Sequence, residues 1–274
     1  MIFRTADAGG VARLIDWAAE EGWNPGPDDA AAFHATDPGG FSLAFDGAEP
    51  VAGISVVNHS GSFAFLGLYL CRPAWRGLGI AFALWQHALE HAGGRTVGLD
   101  GVPAQQANYA KSGFVRTGET RRWTGVIEGR ASSDLHPVRA GDIPALSALD
   151  AAANGVDKSR FLALWLSDTA TRRTLVLDRA GPQGFVTARA CRTGIKIGPL
   201  VARDDADAVT LLHGAAALFP GEAAMVDVPD AVEGLTRHCE GLGLTVPFVT
   251  ARMYRGPAPV PGLFVTAVAT LELG

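Results

Sequence analysis

The sequence predicts a mixed α/β protein made of two similar halves, each a mainly antiparallel sheet with helices on both faces. Three observations support this reading. Residues 3–18 (FRTADAGGVARLIDWA) and 138–152 (VRAGDIPALSALDAA) open on the same pattern. A run of short strands follows in each half, and strands then alternate with helices, which gives a structural repeat of about 135 residues. The length of 274 residues accommodates two domains of ordinary size.

Composition narrows the function classes. An apolar fraction of 48% with 19% charged residues fits a soluble globular enzyme. The net charge of -5, without a Lys/Arg cluster, argues against a nucleic-acid partner. No apolar run reaches the length of a membrane span, and the opening MIFRTADAGG lacks the apolar stretch of a signal peptide. Cys71, Cys191 and Cys239 have no paired spacing, which points to reduced thiols and a cytoplasmic setting. No Cys/His pairing suits a zinc site, so no metal is expected, and the chain is expected to act as a monomer or homodimer.

In order along the chain, Arg4 and Arg139 sit in short opening strands, and Asp7 and Asp142 are placed to cap the helices that follow. A strand over Phe41–Phe45 turns at Asp46-Gly47 and returns as Val51–Val57. His59 falls in the turn Asn58-His59-Ser60-Gly61, where a solvated ring is expected. Phe63–Leu70 (FAFLGLYL) is apolar enough for a buried strand. Gly77–Ala92 reads as a helix with Leu78, Ala81, Phe82, Trp85 and Leu89 on one face. A strand ending at Asp100 and a helix leading to Ser112-Gly113-Phe114 complete the half. The polar segment Glu128–Asp134 marks a linker, dividing the chain into 1–127, 128–134 and 135–274. The second half repeats the plan, with strands ending at Leu200 and Asp227 and helices over Asp205–Phe219 and from Asp230. The stretch Gly262–Leu273 is strand-like and suited to pairing with the sheet of either half.

The stretch Arg76-Gly77-Leu78-Gly79-Ile80-Ala81, between a strand and a helix, is the most informative. Glycines at a helix start leave N–H groups facing open space, and with the helix dipole these form an anion site suited to phosphate. Arg76 adds a forked donor. The competing reading is a tight turn with nothing bound. A dinucleotide-dependent oxidoreductase is excluded by Phe82, which stands where a third small residue is needed.

The first half, residues 1–126, resembles the GNAT superfamily of acyl-CoA-dependent N-acyltransferases. Its pyrophosphate loop, Arg/Gln-x-x-Gly-x-Gly/Ala, is matched by Arg76, Gly79 and Ala81, and Tyr-x-Lys-x-Gly-Phe by Tyr109, Lys111, Gly113 and Phe114. Pro73 ahead of the loop also fits. Glu21–Gly26, Leu99-Asp100-Gly101-Val102 and Ala251–Gly256 resemble a tandem subgroup, in which a complete acetyltransferase domain precedes a degenerate GNAT-like one.

The resemblance implies acetyl-CoA as co-substrate. Its pantetheine arm would pair with the strand at Leu68 and Leu70, beside Cys71, and its pyrophosphate would lie on Gly77, Leu78, Gly79, Ile80 and Ala81. Tyr109 takes the place of the acid that protonates the departing thiolate; otherwise it is a tyrosine packed over the sheet. Asn108 is a further contact, and Lys111 either reaches the cofactor or offsets a helix dipole. The acceptor nitrogen must be neutral, which for a lysine-like amine costs roughly 4–5 kcal/mol at neutral pH. Many family members carry a Glu on the strand before the loop, and this strand has none. Asp100 is the substitute base, or a turn or helix-cap aspartate; Glu20, Glu21 and His59 are lesser candidates. Trp23 and Asn24 correspond to acceptor-pocket positions, with closure of the core as the alternative for Trp23. Tyr69 lines a pocket or packs on the sheet. No motif marks Cys71 as a nucleophile, which favours direct transfer.

In the second half, Asp204, Asp205 and Asp207 replace the glycines and would repel a pyrophosphate, and Cys239 stands in place of Tyr109. Residues 135–274 are therefore expected not to bind coenzyme A, and to complete the acceptor pocket, bury an interface or sense a ligand. The missing strand carboxylate leaves a non-catalytic acyl-CoA or amine sensor as the alternative to an N-acetyltransferase of small amines.

Overall fold

A computed structural model describes all of residues 1–274. The first half runs β1 (Ile2–Thr5), α1 (Ala8–Glu20), α2 (Asp29–Thr36), β2 (Phe41–Asp46), β3 (Glu49–Asn58), β4 (Phe63–Cys71), α3 (Ile80–Leu89), β5 (Thr96–Gly101), α4 (Gln106–Lys111) and β6 (Val115–Val126). The second runs β7 (Leu135–Pro137), α5 (Ile143–Asn154), α6 (Ser159–Trp165), β8 (Arg172–Asp178), β9 (Pro182–Ala190), β10 (Ile195–Ala202), α7 (Asp205–Ala217), β11 (Ala223–Pro229), α8 (Glu233–Gly241), β12 (Thr245–Arg255) and β13 (Val265–Ala267).

The local reasons for these elements are readable. Asp7 caps α1 by accepting the Gly10 N–H at 2.8 Å, and Val11, Leu14, Ile15 and Ala18 form the buried face. The Asp142 side chain instead accepts the N–H of Arg139, three residues back, so it closes the turn before α5 rather than capping it. Arg139 itself lies just beyond β7, not within it. Helix α3 begins at Ile80, and Gly79, with φ of 77°, occupies its N-cap. Its buried face is Leu84, Trp85, Ala88 and Leu89, whereas Leu78 and Phe82 are exposed. Trp85 and Leu89 of the expected stripe are buried; Leu78 falls before the helix start, and Phe82, in the first turn, lies beyond the edge of the sheet-facing side.

The twelve strands β1 to β12 form one continuous sheet in the order β1-β2-β3-β4-β5-β12-β6-β11-β10-β9-β8-β7, with β13 pairing β10 off this path. Each half supplies five consecutive strands, and the sixth strand of each half crosses to lie beside the fifth of the other. Thus β12 pairs antiparallel with β5, and β6 with β11. Each crossing is locked by the same ion pair. Arg252 sits opposite Asp100 and clamps both carboxylate oxygens, Nε–Oδ1 at 2.9 Å and an Nη–Oδ2 bond at 2.7 Å. Arg122 sits opposite Asp227 and does the same, with both distances 2.8 Å.

The halves differ beside their parallel strand pairs. The pairing of β4 with β5 ends at Leu66 and Leu99, and beyond it β4 bulges at Leu68, whose φ is 45°. The far edge of β4 is therefore free of a neighbouring strand from Gly67 onward. In the second half, β10 pairs with β11 over Ile195–Ile197, and β13 then pairs with Leu200–Ala202. The chain fills its own second gap.

Breaking one partner of a buried bidentate pair strands a charge, at a cost of about 3–5 kcal/mol. Asp227→Ala should lower the urea midpoint by that loss of stability. Wild-type unfolding followed by tryptophan fluorescence and by circular dichroism should coincide in one transition, because neither half completes its sheet alone. Two separated transitions would show that the halves unfold independently.

Candidate active site

A cavity of about 400 Å³ lies where β4 and β5 part. Leu66, Gly67, Leu68 and Tyr69 of β4, with Leu99 and Asp100 of β5, form one side of it. Trp23 and Asn24, between α1 and α2, form another, and Tyr109 of α4 lines it as well. The second half supplies Met225, Phe248, Thr250 and Glu272, and Arg122 and Thr124 of the exchanged β6 complete the wall. The structure thus gathers Trp23, Asn24, Leu68, Tyr69, Asp100 and Tyr109 around one space.

Trp85 orders the two tyrosines. Tyr109 stacks on it with centroids 5.3 Å apart, and Tyr69 meets it edge-on at 5.2 Å. The Tyr109 ring also covers Gly101, where a Cβ would press on it. Burial pushes the Tyr69 hydroxyl up to about 12 and raises Tyr109 further, so both remain phenols at neutral pH. The Asn24 side chain is already engaged: it donates to the Thr193 carbonyl and accepts the Thr193 N–H, tying the α1–α2 loop to the second half.

Asp100 is fully buried and clamped by Arg252 rather than capping a helix. Burial raises its carboxyl, and the charge and hydrogen bonds of Arg252 offset this in part. A carboxylate held on both oxygens is poorly placed to take a substrate proton. Glu21 and Glu20 pair with Arg76 and Arg72. His59 is buried, not solvated: its Nε2 lies 2.8 Å from the Leu273 carbonyl oxygen, and burial lowers the ring to about 4.

Leu70, Cys71 and residues 76–81 lie outside the cavity, along the run from β4 into α3. Gly77 and Gly79 both have φ of 77°, and a Cβ at either would meet open space. The N–H groups from Gly77 through Phe82 make no backbone hydrogen bond. Arg76 donates to the Cys71 carbonyl and pairs with Glu21, at the rim of this turn. Burial raises the Cys71 thiol, so it is no better a nucleophile than an ordinary cysteine. Asn108 is exposed and donates to Gln105, and Lys111 is exposed at the end of α4. In the second half, Asp204 caps α7 and Asp207 pairs with Arg179, so the corresponding turn is acidic and already satisfied. No group of three or more His, Cys, Asp or Glu side chains is arranged to hold a metal ion.

Sequence reasoning missed Arg122, Thr124, Phe248, Thr250 and Glu272. The recurrence of an Asp ending the fifth strand and an Arg in the sixth could have revealed the Arg122 and Arg252 pairings. Nothing local marks Glu272, whose position depends on the path of residues 268–274.

Comparison with known proteins agrees with this geometry. Residues 10–114 match the acetyltransferase (GNAT) family, and residues 146–262 match an acetyltransferase (GNAT) domain. The chain is 34% identical over 263 residues to a holothin acyltransferase from Pseudoalteromonas sp. (strain SANK 73390), covering 94% of this chain and 90% of that protein. Its fold is similar to that of a putative acetyltransferase from Pyrococcus horikoshii, with a TM-score of 0.84 at 22% identity over 100% of this chain and 95% of the other. A tandem GNAT protein from the clavulanic acid biosynthesis pathway shares the fold at a TM-score of 0.65 and 19% identity, over 93% and 99% of the two chains. This chain belongs to the GNAT superfamily. It is an acyltransferase with two GNAT domains in tandem, and not the non-catalytic sensor that its missing strand carboxylate left open. No helix is long and apolar enough to cross a membrane.

Neutral His59 gives the fold a specific acid sensitivity. Above pH 6.5 neither folded nor unfolded ring is protonated; between 6.5 and about 4 the unfolded chain takes up a proton that the folded one does not. Stability falls over that window by about 3 kcal/mol in total. The difference in denaturation free energy between wild type and His59→Gln should therefore shift by that amount from pH 7 to pH 4; a pH-independent difference would place the ring in solvent.

Proposed function

We propose that this enzyme moves an acetyl group from acetyl-CoA directly to a primary amine of a small molecule, without a metal or an acyl-enzyme. The observation that carries this reading is a continuous track: the edge of β4 from Gly67 to Cys71, free of a neighbouring strand, leads at one end to the unpartnered N–H groups of Gly77–Phe82 and at the other to the cavity. The donor set fits the coenzyme. Backbone groups at Leu68 and Leu70 suit an amide-bearing arm, and the turn N–H groups with the α3 dipole suit a diphosphate. When bound, the coenzyme supplies an activated thioester.

The residues divide the remaining work. A β4 N–H beside the Leu68 bulge is placed to polarise the thioester carbonyl. The Tyr109 phenol, kept protonated by burial, donates toward the departing sulfur. Trp23, Tyr69 and Phe248 give the acceptor aromatic walls, and Thr250, whose buried hydroxyl has no partner in the chain, offers it a hydrogen bond. A cleft of this volume suits a small acceptor, in a cytoplasmic setting, with neither nucleic acid nor membrane as partner. The relative's name directs the first assay to holothin, alongside simple primary alkylamines. A monomer or a homodimer is compatible with this arrangement.

Free-thiol release from acetyl-CoA with these acceptors tests the reading; its absence across the panel would refute it. Gly79→Glu places a carboxylate and a side chain at a positive-φ turn and should weaken acetyl-CoA affinity at least 100-fold by calorimetry. Tyr109→Phe should lower kcat by about 10²-fold, the usual scale for a proton-transfer residue, while leaving acetyl-CoA affinity within threefold. Unchanged affinity in the first variant, or unchanged turnover in the second, removes the corresponding role.

A further inference from the structure

Glu272 occupies a position that no local motif announces. After β13, the chain runs from the second half across to the first, and residues 268–274 are anchored at several points. The Val268 N–H donates to the Asp227 carbonyl, the Thr270 hydroxyl accepts the N–H groups of Glu272 and Leu273, the Leu273 carbonyl meets His59, and Lys158 donates to the Gly274 carbonyl. This fixed turn brings the Glu272 backbone against Gly67, where a Cβ would collide with the Glu272 carbonyl. Gly67 is the first β4 residue past the end of β5 pairing, immediately before the Leu68 bulge. Glycine here permits the tail to close against the strand at the inner end of the coenzyme track.

The other carboxylates lining the cavity are engaged: Asp100 by Arg252 and Glu21 by Arg76. Glu272 lines the same cavity, is 5% exposed, and makes no ion pair within 4 Å. Around it stand Lys196 from β10, Arg189 from β9 and Arg122 from β6, with Asp100 and Asp227 as the nearby anions. Burial would raise its carboxyl, but Lys196, the Thr270 hydroxyl and the two guanidiniums outweigh burial and keep it ionised. Their direct hydrogen bonds go elsewhere: Lys196 donates to the Trp23 carbonyl, Arg189 faces Asp29, and Arg122 clamps Asp227, so the Glu272 carboxylate balances the Lys196 charge across more than 4 Å without a direct ion pair. The carboxylate is thus ionised, lines the cavity and is clamped by no guanidinium or ammonium.

We propose that Glu272, delivered by the second half, is the catalytic carboxylate that receives the acceptor nitrogen: it accepts an N–H hydrogen bond from the amine and takes the proton released during transfer. This rests on the acetyl-CoA and amine reading above. The neutral nitrogen uses its lone pair to form the N–C bond to the thioester carbonyl. The nitrogen, now positive, gives one proton to Glu272; the C–S bond breaks with its electron pair on sulfur, and Tyr109 supplies the proton that makes the thiol. The proton on Glu272 then restores the Tyr109 phenol through solvent, so amine and acetyl-CoA become amide and free thiol with no net proton change. A carboxylate below the usual range still suffices, because an acylated positive nitrogen is a strong acid. The second half thereby replaces the base absent from β4.

Glu272→Gln and Glu272→Asp, measured beside wild type, test this assignment. Two readouts are used: thiol release with holothin and with 1,4-diaminobutane, and calorimetric binding of each to enzyme saturated with free coenzyme A, which cannot turn over. For Glu272→Gln, kcat/KM for the acceptor should fall at least 100-fold and acceptor affinity at least tenfold, with acetyl-CoA KM within threefold. Glu272→Asp keeps the charge that balances the buried cations but shortens the arm; it should fold as wild type and lose at least tenfold in acceptor kcat/KM. If Glu272→Gln fails to fold, the Asp variant decides alone. Wild-type acceptor kinetics and affinity in either folded variant overturn the proposal, as does an absence of acceptor binding to wild type. A wild type that binds the amines but releases no thiol refutes acyl transfer to them, while the binding comparison still decides whether Glu272 receives the nitrogen.

Discussion

Two buried Asp–Arg clamps hold this molecule together, and everything at the site depends on them. Asp100–Arg252 and Asp227–Arg122 occupy equivalent positions in the two halves, and each joins the fifth strand of one half to the sixth strand of the other. The side chains of Asp100, Asp227 and Arg122 are buried and that of Arg252 is partly exposed; burying charge is costly unless each group is fully met, and bidentate geometry with directly opposed registers meets them. Register is fixed as a result: a one-residue slip of β6 or β12 would turn the guanidinium to the opposite face and leave an aspartate alone. The crossing carries Arg122 and Thr124 into the cavity from one direction and Phe248 and Thr250 from the other. A cavity lined by both halves follows directly from the exchange.

The halves share a plan but treat its central gap differently. In the first, β4 keeps an unpaired edge beyond Leu66, followed by a turn whose glycines and N–H groups are open. In the second, β13 takes the equivalent edge of β10, and aspartates close the next helix start. Both changes act in the same sense: one removes the hydrogen-bonding edge that an extended arm needs, the other repels a diphosphate. The segment after β13 then enters the first half's cavity wall, so one stretch of chain both covers the β10 edge and lines the first half's cavity.

Much of this was legible in the sequence. The glycine turn, Tyr109 within its short helix, Asp7 as a cap and the Asp46-Gly47 hairpin are local features, and spacing of only a few residues encodes them. The duplicated plan was visible because paired strands and helices recur in order. What local patterns cannot encode is a partner far along the chain. Asp100 reads as a base or a cap because its partner lies 152 residues later, and His59 reads as solvated because Leu273, which meets its ring, lies 214 residues later. The start of α3 differs from the expectation for a local reason: Gly79, in the left-handed region, holds the N-cap and leaves Leu78 outside the helix and exposed. Pocket residues from the second half were invisible for the same topological reason as Arg252.

The exchanged strands also govern how the molecule is made. Strand β5 leaves the ribosome roughly 150 residues before β12, its eventual neighbour, a delay of roughly 10–30 s at ordinary elongation speeds. For that interval the nascent N-terminal sheet presents a bare, mostly apolar strand border. The chain thus passes through a stage dominated by distant pairings, the regime of slow folding and of unwanted association between molecules. High expression temperature and crowded translation should favour intermolecular trading of β6 and β12, yielding entangled oligomers built from the same clamps that close the monomer.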